Sequence, residues 1–143
     1  MTEAFRRLDF RVHAHATEDE SKVREALAFV SGVEDPQVEQ AAGHHGNAIT
    51  ILRASLHRAA DLRAFWDRVR DSGQMGPLLA ELESRLDARG QLFLRFDKQE
   101  AYQGRLKLVR HDDVVSAKGK VASYPARREK ALAVARAYFE GES

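Results

Sequence analysis

Three short stretches of this chain carry the residue types that do chemistry. The first is Gly43-His44-His45-Gly46-Asn47, whose adjacent imidazoles could hold a metal, pass a proton or stack on a base. Consecutive side chains on an extended segment point in different directions, and no HExxH or carboxylate partner stands at ligand spacing. His13 and His15 are further imidazoles, but nothing in the sequence gathers them with the loop. The flanking glycines indicate unusual backbone geometry or a closely approaching partner. The loop is therefore either structural or a nucleic-acid contact, with the imidazoles stacking and Asn47 donating hydrogen bonds.

The second stretch is RFDKQEAYQG, from Arg95 to Gly104. Asp97 and Glu100 form a carboxylate pair on paper. An exposed turn beside Lys98 is a poor place to raise a carboxylate pKa, and no histidine or nucleophile is spaced for a triad. The stretch reads as a salt-bridged turn or as a polar recognition loop. The third is Lys118-Gly119-Lys120, preceded by Arg105, Lys107 and Arg110. It lacks the GxxxxGK[ST] pattern and lies in a strand context, so it is not a P-loop. A solvated strand face and a basic sheet edge that meets phosphates are the two readings.

These groups must be held by a folded scaffold, and the composition provides for one. A chain of 143 residues with 43% hydrophobic and 31% charged residues can bury a single core. It contains no cysteine, which excludes disulfides and thiolate zinc sites. No apolar run is long enough to cross a bilayer and the first residues form no apolar signal core, so a cytoplasmic location is expected. The net charge of +1 hides an uneven distribution: carboxylates gather in TEDESKVREAL and LLAELESRLDARG, and cations in FRRLDFRVHAH, RLKLVRH and AKGKVASYPARREK. A nearly neutral protein with a locally basic surface can still attract a polyanion.

The elements follow from periodicity. Leu8, Phe10, Val12 and Ala14 alternate with Arg7, Asp9, Arg11 and His13, the pattern of a half-buried strand. Thr17 and Glu20 make a capping box before a helix through Val23, Leu27 and Val30 that stops near Gly32. A strand from Val38, interrupted at 43–47, resumes through Ala48–Leu56 as a central strand. A helix over 60–72 carries Leu62, Phe65, Trp66 and Val69, and Gly73 ends it. Pro77 opens the next helix, with Leu78, Leu79, Leu82 and Leu86 as its stripe and Gly90 as its stop. Leu92, Leu94 and Phe96, then Leu106 and Leu108, then 114–123 read as strands. A last helix follows Pro125, with Leu132, Val134, Ala135, Tyr138 and Phe139 on its buried side. The expected fold is a single α+β domain over 1–143, a two-layer sandwich with helices on one face of a largely antiparallel sheet.

The order and spacing of GHHGNAI, RFDKQEAYQG and DDVVSAKGKVASYP resemble an archaeal family of predicted RNA-binding proteins. Ala48 stands where that pattern has proline. The resemblance covers nearly the whole chain. It implies RNA binding in the cytoplasm, association with the exosome, a double-stranded-RNA-binding-domain-like fold and no cofactor. The expected function is non-catalytic recognition of RNA backbone and shape in RNA processing or degradation, with no metal. Arg7, Arg11, His13 and His15 on the first strand are the candidate contacts, with His44, His45 and Asn47 in the glycine loop. Lys98, Arg105, Lys107, Lys118 and Lys120 complete the set, and the lysines are expected to be exposed. Two rivals stand beside this reading: an adaptor that binds a processing complex without touching RNA, and a hydrolase or nuclease pairing His44 or His45 with Asp97.

Overall fold

The alternation around Phe10 does form a strand, β1 (Leu8–His15), with Leu8, Phe10, Val12 and Ala14 buried. The remaining elements are α1 (Glu20–Ser31), β2 (Gln37–Ala42), β3 (Ala48–Leu56), α2 (Ala59–Asp71), α3 (Met75–Ala80) and α4 (Leu82–Arg85). β4 (Gln91–Asp97), α5 (Lys98–Tyr102), β5 (Val114–Lys120) and α6 (Arg128–Phe139) follow. This computed structural model describes residues 4–42 and 47–141. The fold is α+β, with an open five-stranded antiparallel sheet in the order β2-β3-β1-β5-β4. Alternate residues of β1, β4 and β5 are buried, so helices cover one face and the other is open. Among the described residues no helix is long and apolar enough to cross a membrane.

The contacts divide the chain into two compact units. One comprises 9–55 with 95–117, the other 4–8, 56–94 and 118–141. In the first, α1 buries Val23, Ala26, Leu27 and Val30, and α5 packs against it. Gly32 caps α1 at φ 81°, as its sequence position suggests. The start of α1 differs from the expected Thr17–Glu20 box: the cap is Asp19, whose carboxylate accepts from the Ser21 amide at 2.9 Å. Thr17 and Glu18 belong to a turn closed by the Glu18 amide on the His15 carbonyl. The expected interrupted strand is instead a hairpin. β2 and β3 run antiparallel from Gln37↔Arg53 to Ala42↔Ala48. β3 lies between β2 and β1, the interior position its apolar content calls for. Residues 105–109 are not a full strand; Leu108 bridges Phe96, and the Asp97 and Val109 amides bond the Lys107 and Arg95 carbonyls.

The second unit is built on an aromatic cluster. The Trp66 ring lies 4.7 Å from Phe139, 4.9 Å from Phe65 and 5.1 Å from Phe5, centroid to centroid. α2 contributes Leu62, Phe65, Trp66 and Val69, and α6 contributes Ala131, Ala135 and Phe139, while Leu132, Val134 and Tyr138 are half-buried. The expected helix from Pro77 to Gly90 is broken. α3 and α4 are short, and Leu86 turns extended (φ −107°, ψ 129°) to bridge Leu92. The Asp87 carboxylate explains the turn, accepting from the amides of Arg89 (2.9 Å) and Gln91 (2.8 Å). Gly90 is thus a turn glycine at φ 82°, and a Cβ there would stand 3.0 Å from the Ala131 Cβ.

Candidate nucleic-acid interface

On the open face of the first unit, β1 presents Asp9, Arg11, His13 and His15, and β3 presents Ile49, Ile51, Arg53 and Ser55. Arg53 meets Glu39 across the hairpin at 3.4 Å, and the Ser55 hydroxyl donates to Asp9 at 2.7 Å. Arg11 is exposed and makes no ion pair among the described residues. Burial and then the charges of Arg11, His15, Lys98 and Arg53 hold the His13 imidazole below the usual histidine range. Asn47, exposed immediately before β3, joins this unit, whereas His44 and His45 lie outside the described residues.

Not every expected cation faces solvent. Lys98 was expected on an exposed turn and is instead a core residue, its side chain 2% exposed. Asp97 begins a helix there, accepting from the Gln99 and Glu100 amides, and this rotates Lys98 inward. Its ammonium donates to the His13 carbonyl (3.0 Å), Glu18 Oε2 (2.9 Å) and Asp113 Oδ1 (3.0 Å), which satisfies all its donors. For Glu18, burial pushes the pKa up, but the His15 amide and Lys98 outweigh it and the net shift is downward. Asp113 behaves alike, with Lys98 and Gln99 opposing its burial. Tyr102, donating to Glu18 at 3.4 Å, is pushed up to about 12 by burial and the nearby carboxylates. Arg105 is held by Glu100 at 2.8 Å, Arg95 by Asp112 at 2.7 Å, and Lys107 is exposed. Asp97 faces His111 at 3.4 Å, a pair unforeseen in the sequence.

In the second unit Lys118 and Lys120 are exposed on β5 and Gly119 is buried between them. A Cβ on Gly119 would lie 2.4 Å from a Leu8 methyl and 2.9 Å from the Arg7 carbonyl oxygen. The glycine of this motif therefore serves close strand approach and not phosphate cradling. Arg7, also exposed, immediately precedes β1. Two exposed aromatics escaped the sequence reading: Phe93 at 43% and Tyr124 at 91%. The signal for Phe93 was present, since it occupies the polar phase of the Leu92, Leu94, Phe96 alternation.

The model of a family described as RNA binding matches residues 7–121 of this chain. The chain belongs to this RNA-binding family. Its relatives include an RNA-binding protein of Pyrococcus abyssi, PAB1135, 32% identical over 92% of each chain. Among solved structures it is similar to Mth689, a DUF54 protein from Methanothermobacter thermautotrophicus. That likeness has 41% identity and a TM-score of 0.83, covering 94% of this chain and 97% of the other. AF2318 from Archaeglobus fulgidus matches at 32% identity and a TM-score of 0.82, over 92% and 97%. The family description and the name of PAB1135 refer to RNA, and the two solved structures share the fold of this chain.

Proposed function

We propose that this protein is a non-catalytic RNA-binding module that recognises backbone and shape. The observation that carries the reading is the grouping of Arg11, His13, His15 and Arg53 on the open sheet face of the first unit, where Arg11 is exposed. Family membership supports RNA as the polyanion. Arg11, Arg53 and Lys107 meet phosphates, and His13, His15 and Asn47 reach sugar hydroxyls or bases. Arg7, Lys118 and Lys120 offer phosphate contacts in the second unit. Arg105, held closer by Glu100 (2.8 Å) than Arg53 is by Glu39 (3.4 Å), contributes less, and His44 and His45, outside the described residues, are further candidate contacts. Lys98 has no part in the interface. A cytoplasmic role beside the exosome in RNA processing or degradation, and the double-stranded-RNA-binding-domain likeness, belong to the same proposal. The test is anisotropy of a labelled structured RNA between low and moderate salt. Binding that weakens steeply with salt supports the reading, and no binding, or a flat response, overturns it. Association with a reconstituted exosome, scored by co-elution with and without RNA, tests the wider role.

A further inference from the structure

The second unit holds an arrangement suited to a base and not only to phosphate. β4 and β5 are neighbours in the sheet. Their pairing is bracketed by two backbone bonds, Val121 amide to Gly90 carbonyl (2.9 Å) and Lys98 amide to Asp113 carbonyl (3.1 Å). The intervening stretches of the two strands are equally long and antiparallel, so Phe93 stands opposite Lys118 and Gln91 opposite Lys120. Directly opposite residues share a face with their Cβ atoms about 4.5–5.5 Å apart. Phe93 is 43% exposed and has no ring partner among the described residues. Lys118 and Lys120 are exposed and unpaired among the described residues. Val, Thr or a polar residue would serve a solvent-facing strand position equally well, so a phenyl ring flanked by unpaired ammonium groups points to a ligand with a flat face and a negative charge. An unpaired nucleotide has both, and base stacking on an aromatic ring is tolerant of sequence.

We propose that Phe93, with Lys118 and Lys120 on the adjoining strand, is a stacking platform for an unpaired RNA base, the lysines meeting its flanking phosphates. This rests on the RNA-binding reading above and names the part of the RNA, an overhang or a bulge, that this unit receives. The test compares a blunt hairpin RNA with the same hairpin carrying a short 3′ uridine overhang, by anisotropy at fixed salt. The parent protein should prefer the overhang by about tenfold, within the range typical for one base stacked on an aromatic side chain. Phe93→Ala should lose that preference while binding the blunt hairpin unchanged, and Phe93→Tyr should keep it. The exposed position leaves folding intact, which a melting curve checks. Should Phe93→Ala retain the preference, or the parent show none while binding both RNAs, the platform is wrong and the RNA-binding reading stands. Should the parent bind neither RNA, both fall.

Discussion

Lys98→Ala is the perturbation on which the local argument is most exposed. The ammonium is 2% accessible and satisfies the His13 carbonyl, Glu18 and Asp113 together. Removing one partner of a buried ion pair costs about 3–5 kcal/mol, because the remaining charges lose their counter-ion. Here the low end applies. Asp113 is 49% exposed and rehydrates, while Glu18, at 21%, keeps the amide of His15. A loss of about 3 kcal/mol is therefore expected, and Lys98→Met should recover roughly 1 kcal/mol by keeping the apolar stem packed. Lys98→Glu would place a third carboxylate in the cluster and should prevent folding at neutral pH. Urea unfolding, with the slope of free energy on urea held constant across variants, gives these values. A Lys98→Ala variant within about 0.5 kcal/mol of the parent, as exposed positions usually are, would refute the buried-hub reasoning. The folded Lys98→Met protein should bind RNA as the parent does.

The same cluster sets the pH limits of stability. Glu18 and Asp113 have folded pKa values below their ordinary 4.5 and 3.8, so their contribution is full above those values and is lost as pH falls through the lowered ones. Tyr102, raised from 10.0 to about 12, contributes fully below pH 10 and loses that contribution between the two values. Urea midpoints across pH should therefore form a plateau falling at both ends, with a shallower acid limb in Lys98→Met. Gly119→Ala should destabilise by about 1–3 kcal/mol, since its Cβ would overlap Leu8 and the Arg7 carbonyl, and a thermal melt reads this directly. His13 has a lowered pKa in the absence of RNA, and a nearby phosphate raises it. RNA affinity should then increase as pH falls, and His13→Gln should reduce that pH dependence without unfolding the protein.

Much of the scaffold was legible because its signals are local. The two-residue alternation defines β1, the spacing of Leu62, Phe65, Trp66 and Val69 defines α2, and Gly32 stops α1 by its left-handed φ. The misreadings share a different origin. Thr17 satisfies a capping pattern, but Glu18 is drawn to Lys98 far along the chain, and Asp19 becomes the cap. The leucine stripe from Leu78 to Leu86 fits one helix, yet Leu86 pairs with Leu92 once Asp87 closes a turn. Lys98, amid Asp97, Gln99 and Glu100, has every local mark of a surface residue. Its burial depends on Glu18 and Asp113, which no window around it contains. The basic character of β1 was readable, whereas Arg53 joins it only through the order of the strands.

The central claim is that Arg11 and Arg53 on the open face of the first unit carry RNA through phosphate contacts. The most direct measurement is the salt slope of RNA affinity for the parent, Arg11→Gln and Arg53→Gln, taken with a melting temperature on the same samples. Each lost phosphate contact should reduce the slope by about 0.7–0.9 in log–log terms, with the melting temperature nearly unchanged at these exposed positions. Variants that remain folded and keep the parent's slope and affinity would contradict the claim.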